Sequence, residues 1–201
     1  IGKYHQLILN KYPVQLGHIL LITNEWKEQN GWLDIKDWEA IKEVNKDTSG
    51  LWFFNSGPLA GASQPHRHIQ LLRRDPSELS CPREKWILAL NNLNYKNEKF
   101  SKNIILKKFS KSLNEENIHE IYKNLSYKLG LGDPRNDKKP KYPYNLIFTD
   151  RWMIIIKRKT DNLFGISINA LGFAGYILVT EKSDIKYLRE LGPEKLLEDF
   201  L

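Results

Sequence analysis

Residues 55–72, NSGPLAGASQPHRHIQLL, hold the side chains best placed to do chemistry in this 201-residue chain. Two of its five histidines, His66 and His68, stand one residue apart, Gln70 repeats the spacing, and plain hydrophobics follow. In a strand, side chains at i, i+2 and i+4 share a face, so His66, His68 and Gln70 project together while Arg67, Ile69 and Leu71 turn the other way. The Gly-Pro-Leu-Ala-Gly lead-in, with Gly61 at its end, lets backbone N–H groups approach an anion closely, and Ser63 and Gln64 add donors of their own. That describes a phosphate seat beside an imidazole. A neutral imidazole attacks phosphorus through one nitrogen when the other ring N–H is held, commonly by a backbone carbonyl, which fixes the tautomer and supports the developing positive charge.

Competing chemistries have less to stand on. A His-x-His pair on a strand is also a common metal site, but His5, His18, His119 and Cys81 supply no zinc-finger spacing and no obvious third ligand, so no metal site is expected. Two buried histidines satisfied by their neighbours are the structural alternative. Neither accounts for the glycine-rich lead-in. A Walker loop is excluded because no Gly-Lys-Ser/Thr follows the glycines, and Ser56 and Ser63 lack the Gly-x-Ser-x-Gly setting of a serine nucleophile.

The elements that must position this loop are legible as apolar runs. QLILN, HILLIT, LWFFN and HRHIQLL (6–10, 18–23, 51–55 and 66–72) read as strands. DIKDWEAIKEV places Ile35, Trp38, Ile41 and Val44 on one helical face with Asp34 as N-cap. Short links between strands favour an antiparallel sheet with a helix packed on it over alternating parallel units. Further on, REKWILALNNL reads as a short helix and NIILKKF as a strand. A helix with Ile118, Ile121, Leu125 and Leu129 follows, opened by a Ser112/Glu115 capping box and stopped by Gly130. Residues 130–143 read as a loop, YNLIFT, WMIIIK and GYILVT as strands, and SDIKYLREL (Ser183 as cap) and PEKLLEDFL (Pro193 in the first turn) as helices.

With 41% hydrophobic residues the chain can bury a core without staples. A lone cysteine and no membrane-length apolar run point to a cytoplasmic protein with no membrane partner. The start at Ile1, running almost at once into strand-like sequence, suggests that an upstream segment is absent. Of the net charge of +7, residues 96–159 carry a local excess of nine, a block that attracts polyanions or forms a solvated lysine-rich face.

The quoted loop resembles the active-site signature of the histidine-triad superfamily, in its branch of diadenosine tetraphosphate phosphorylases, or ATP adenylyltransferases. LILNKYPVQLGHILLIT, FFNSG, PYNLIFTDRWMIIIKRK and SINALGFAGYILV extend the likeness over most of the chain. The resemblance implies an α+β fold: a histidine-triad-like antiparallel sheet with helices packed against it, as one catalytic domain over 1–201 (a core, 1–82, and a C-terminal part, 83–201). It makes His68 the nucleophile, with His66 orienting it through its backbone carbonyl, and Gln70 stands where hydrolases of the superfamily have a third histidine. It also assigns Asn10 to the ribose, Asn55, Gly61, Ser63 and Gln64 to phosphoryl groups, and Lys11 to the polyphosphate, although Lys11 also reads as an ordinary surface lysine. His18 matches a family histidine that looks architectural. Lys157, Arg158 and Lys159 read as contacts to distal phosphates or as a solvated strand end.

The implied reaction is phosphorolysis of diadenosine tetraphosphate to ATP and ADP through an adenylyl-histidine, with inorganic phosphate as acceptor. No cofactor is held by the protein, and Mg²⁺ rides on the polyphosphate. Alternatives are a sugar-1-phosphate nucleotidylyltransferase or a dinucleoside polyphosphate hydrolase of the same superfamily, a nucleotide binder without chemistry, and an RNA-binding protein suggested by 31 Lys/Arg. Nucleic acid is not the expected partner, and nothing in the sequence fixes the oligomeric state.

Overall fold

The computed structural model describes residues 1–75, 77–90, 97–110, 114–163 and 165–201. Among these, β1 (His5–Leu9), β2 (His18–Thr23), β3 (Gly50–Asn55), β4 (His68–Arg73), β5 (Ile104–Lys108), β6 (Tyr144–Phe148) and β7 (Trp152–Lys157) form one sheet in the order β1-β2-β4-β3-β6-β7-β5. Every neighbouring pair is antiparallel. The period of two sorts the side chains to two apolar layers. Ile69 and Leu71 of β4 join Trp52, Phe54, Leu146 and Phe148 on one face, under α1 (Ile35–Val44) and α4 (Glu115–Lys128). Leu51, Phe53, Leu72, Ile147 and Ile154 lie on the other, with residues of α2 (Glu84–Ala89), α3 (Glu98–Asn103), α5 (Ala170–Ala174) and α7 (Pro193–Asp199). The α+β fold with an antiparallel sheet is therefore as the sequence implies.

Helix α1 starts as its sequence predicts. The Asp34 side chain accepts from the Lys36 and Asp37 N–H groups, and Asp37 Oδ2 accepts from the Asp34 N–H at 2.9 Å. Asp37 also does a second task. Fully buried, it meets His5 Nε2 at 2.8 Å and Arg67 Nη1 at 3.2 Å. Arg67 Nη2 reaches Glu28 O. The residue between the two motif histidines thus ties the start of β4 to α1 from the face opposite them.

Several local expectations change. His66 precedes β4 and pairs with Glu28 in an isolated bridge, because Pro65 and the turn before it delay the ladder until His68. Helix α2 covers Glu84–Ala89, and the end of its expected run, residues 91–93, lies outside the described residues. Helix α4 is capped by the Asn114 side chain on the Asn117 N–H at 2.8 Å, while Ser112 lies outside the described residues. Residues 175–180 form no strand. Gly175, at φ +106°, ends α5, and Leu178 and Val179 stay about half exposed without a partner strand. Asp184, not Ser183, caps α6 (Ile185–Leu191), and the Ser183 hydroxyl donates to Gly165 O at 2.8 Å. The 130–143 loop is tied down through Trp32 Nε1 to Asp137 O and Asp133 N–H to Asp137 Oδ2, at 2.9 and 2.7 Å. Among the described residues no helix is long and apolar enough to cross a membrane.

Replacing Asp37 by Ala leaves the buried Arg67 guanidinium without its carboxylate, a change that costs about 3–5 kcal/mol. Urea unfolding of Asp37→Ala should show a loss in that range, against about 1–2 kcal/mol for Asp34→Ala, which removes a helix cap and a partly exposed ion pair with Lys27. Equal losses for the two would remove the brace role from Asp37.

Candidate active site

A cavity of about 470 Å³ opens on the sheet face of His68 and Gln70. Asn10, Asn55, Gly61, Ser63, Gln64, His66, His68 and Gln70 all line it, joined by His18, Leu20, Ile22 and, from the C-terminal part, Asn169 and Leu171. Register explains the meeting: β2 and β4 set Leu20 opposite Gln70 and Ile22 opposite His68, and β3 sets Phe53 opposite Gln70. Lys11 is not among the lining residues, its Nζ lying over the Tyr12 ring at 5.5 Å. A hollow of about 370 Å³ on the other face, lined by Trp38, Trp52 and Phe148 with Lys42, Glu115 and Asp150, holds no histidine.

His68 is 7% exposed, and its Nδ1 lies 2.8 Å from the carbonyl oxygen of His66. Only a protonated Nδ1 makes that bond, so Nε2 carries the lone pair and takes no partner among the described residues. Burial holds the ring's pKa below the usual histidine range, against the His66 carbonyl bond that raises it. At neutral pH the imidazole is therefore uncharged, with its tautomer set.

The backbone under the ring is held by Gln29, which no local sequence signal marks. It is 2% exposed. Its Oε1 accepts the His68 N–H at 2.8 Å, while its Nε2 donates to Asn55 O at 2.8 Å and His68 O at 3.1 Å. One amide thus joins the end of β3 to the start of β4.

Two further amides have their orientation fixed. The Val14 N–H donates to His18 Nδ1, so His18 Nε2–H donates to Gln70 Oε1, 2.9 Å away. That leaves the Gln70 NH₂ group as a donor. His18, read from sequence as architectural, therefore lines the cavity and sets Gln70, with burial lowering its pKa. Asn55 Oδ1 accepts from Asn145 Nδ2 at 2.8 Å and from the Ala170 N–H at 2.9 Å, which leaves its NH₂ group as donor too. Asn10 is partly committed, its Oδ1 to the Tyr12 N–H at 2.9 Å and its Nδ2 to the His18 ring.

The loop itself turns through a short 3₁₀ segment, Pro58–Ala60, between Gly57 at φ +94° and Gly61 at φ +83°. The N–H groups of Ala60, Gly61 and Ala62 close that turn onto Gly57 and Pro58 carbonyls. They are spent, and the N–H groups of Ser63 and Gln64 take no partner among the described residues. The glycines therefore shape the loop while the next two residues present the donors. Gly61 is required twice over, since a Cβ there would lie 2.6 Å from that of Asn169 and its φ is left-handed. On the far side of His68, the His66 ring contacts Thr23 Oγ1 at 3.0 Å and stacks on Trp26 at 5.0 Å.

Neutral donors dominate: no lysine or arginine lines the cavity. Of the basic run after β7, Arg158 is buried and hydrogen-bonded to Asn145 Oδ1, so it is neither a solvated end nor a direct phosphate contact. Among the described residues no group of three or more His, Cys, Asp or Glu converges to hold a metal ion.

Two measurements follow. His18, His68 and His119 all have pKa values below the ordinary 6.5, with burial the first cause for each. Below that pH the unfolded chain takes up protons that the folded chain does not, so stability is level above 6.5 and falls as the pH drops through it. Thermal melts should show this, and the His68 ring should titrate by NMR below 6.5; a midpoint above it would overturn the neutral ring. Gln29→Leu strands the buried His68 N–H, and its urea unfolding should show a loss of about 1–3 kcal/mol.

Residues 1–87 match the family described as Ap4A phosphorylase N-terminal domain, and residues 81–200 match the ATP adenylyltransferase C-terminal domain. The chain is 26% identical to diadenosine 5',5'''-P1,P4-tetraphosphate phosphorylase 2 of Saccharomyces cerevisiae, an alignment that covers 94% of this chain and 66% of that one. It is 27% identical to Protein APA1 of the same yeast, over 100% of this chain and 68% of the relative. It thus spans about two thirds of the length of these curated relatives. The crystal structure of yeast Ap4A phosphorylase Apa2 superposes with a TM-score of 0.71 at 22% identity, covering 98% of this chain and 71% of that one. Its complex with AMP gives 0.73 at 24%, covering 98% and 72%. At that identity the superposition speaks for the fold, and the two sequence families speak for descent: the chain belongs to the Ap4A phosphorylase and ATP adenylyltransferase family.

Proposed function

We propose that the chain is a nucleotidyltransferase that phosphorolyses diadenosine tetraphosphate to ATP and ADP through an adenylyl group carried on His68. One observation carries this reading: the 2.8 Å contact of His68 Nδ1 with His66 O, which leaves Nε2 unprotonated in a cavity of neutral donors. The name of the yeast relative, a diadenosine tetraphosphate phosphorylase, supports the choice of substrate.

In the first step His68 Nε2 attacks the α-phosphorus of one adenosine. The N–P bond forms as the P–O bond to the β-phosphate breaks, and ATP leaves with the bonding electron pair. The positive charge that develops on the ring is shared by the Nδ1–H bond to His66 O. In the second step an oxygen of inorganic phosphate attacks the same phosphorus, the N–P bond breaks, and ADP leaves with His68 neutral again. The phosphoryl oxygens crowd with charge in both steps, and donors already in place stabilise them without reorganising. Those donors are the NH₂ groups of Asn55 and Gln70 and the N–H groups of Ser63 and Gln64. Leu20 and Ile22 give the base an apolar wall. The polyphosphate arrives as its Mg²⁺ complex, and the protein holds no metal of its own in this reading. Burial pushes the Cys81 thiol up to about 12, an inert group suited to the reducing cytoplasm to which we assign the chain.

Incubation with diadenosine tetraphosphate should give ATP and ADP only when phosphate is present. ATP plus AMP would mark a hydrolase, and two ADP would reject the chemistry. His68→Ala should lose more activity than the roughly 10²–10⁴-fold typical of a lost proton-transfer group, and label from the adenylyl group should remain on the wild-type chain when phosphate is withheld.

A further inference from the structure

Arg158 is 2% exposed, yet among the described residues its guanidinium has no carboxylate in ion-pair contact, and Asp161 acts on it only at longer range. Oxygen acceptors and rings surround it instead. Nη1 donates to Asn145 Oδ1, Nη2 to Thr160 O at 2.6 Å and Ile168 O at 2.8 Å, and Nε to Phe200 O at 3.3 Å. The Phe173 and Phe200 rings lie 5.2 and 5.4 Å from its Cζ. Burial lowers its pKa to about 9, so it remains cationic at neutral pH. A buried charge without a counter-charge costs several kcal/mol even after relaxation, and an anion brought close to it offsets that cost.

The way to such an anion is continuous. Asn145 accepts from Arg158 through Oδ1 and donates through Nδ2 to Asn55 Oδ1 and to Ala60 O, both at 2.8 Å. Asn55 lines the cavity with its NH₂ group left as donor. Hydrogen bonds that begin at a cation polarise the next in the chain, so the last N–H group is a stronger donor than an isolated amide. The cavity has no lysine or arginine of its own lining it.

We propose that Arg158 supplies the positive charge of the phosphate seat, acting through Asn145 on the Asn55 amide, as a positioning residue that never touches the substrate. This rests on the adenylyl site proposed above, but it concerns binding and not turnover. Because Ala60 O hangs from the same Asn145 amide, the relay also ties the phosphate loop to the C-terminal part.

The test compares AMP with adenosine by calorimetry on the whole chain. In Arg158→Met the preference for AMP should fall about tenfold or more, equivalent to about 1.4 kcal/mol, with adenosine affinity unchanged. Arg158→Lys, which keeps the charge but not the fork, should hold most of that preference. If AMP and adenosine weaken together in Arg158→Met, or if the preference survives intact, Arg158 is only a packing residue and the proposal fails. Should Arg158→Met not fold, Asn145→Ala cuts the same relay with the cation in place, and an intact AMP preference there overturns the proposal equally. A wild-type chain that binds AMP no better than adenosine would remove the phosphate seat itself, and with it the proposed function. A wild-type chain that prefers AMP over adenosine but shows no phosphorolysis would overturn the proposed function alone, and the loss of that preference in Arg158→Met would still support this inference.

Discussion

The hydrogen bond from a histidine ring to the carbonyl two residues before it is the constraint from which the rest of this site follows. It requires the chain to bend just ahead of β4 so that His66 O faces back toward the ring of His68, and it holds only if that backbone cannot relax. Pro65 removes one donor at the bend, the Glu28–His66 bridge pairs the segment just before the strand, and Gln29 closes the gap between β3 and β4 with a single buried amide. A neutral imidazole with one defined lone pair is the product of that backbone geometry as much as of its own burial.

Alternation of side chains lets one short stretch serve two faces. His68 and Gln70 face the cavity, while Arg67, Ile69 and Leu71 face α1 and its core. Arg67 is bound to Asp37, which also holds His5 of the edge strand β1 and caps its own helix. The polar brace on the back is therefore coupled to the polar row on the front through the same backbone. A slip of one residue would reverse both at once, placing His68 against α1 and Arg67 in the cavity.

Period-two runs and caps made the sheet, α1 and the row His66, His68, Gln70 legible, because those signals are local. The resemblance to a known family brought Asn10, Asn55, Ser63 and Gln64 into view, and all four line the cavity. The rest is tertiary. Gln29 lies in an unremarkable loop 39 residues from its partner His68, and Asn145 reaches Asn55 across 90. No spacing rule connects such pairs. Lys157, Arg158 and Lys159 look alike in sequence, yet only Arg158 is buried, since the side chain of the middle residue of the three turns toward α7. The GYILVT run has strand composition but pairs with no strand among the described residues, and β-propensity without a partner does not make a strand.

Two sequence families meet near residues 81–87, but the site does not respect that seam. Strand β3, from the first, pairs with β6, from the second, and the pairing sets Asn55 opposite Asn145 and Trp52 opposite Phe148. The first part carries His68 and the loop of residues 56–64. The second orients the Asn55 amide through Asn145 and the Ala170 N–H, and presses Asn169 against Gly61 so closely that no side chain fits between. A loop held only by its own 3₁₀ turn would leave Ala60 O and Asn55 Oδ1 without their Asn145 partner. The first part therefore holds the His68 ring and its loop, and the second fixes them through Asn145, Ala170 and Asn169, the rigidity that donors placed in advance require.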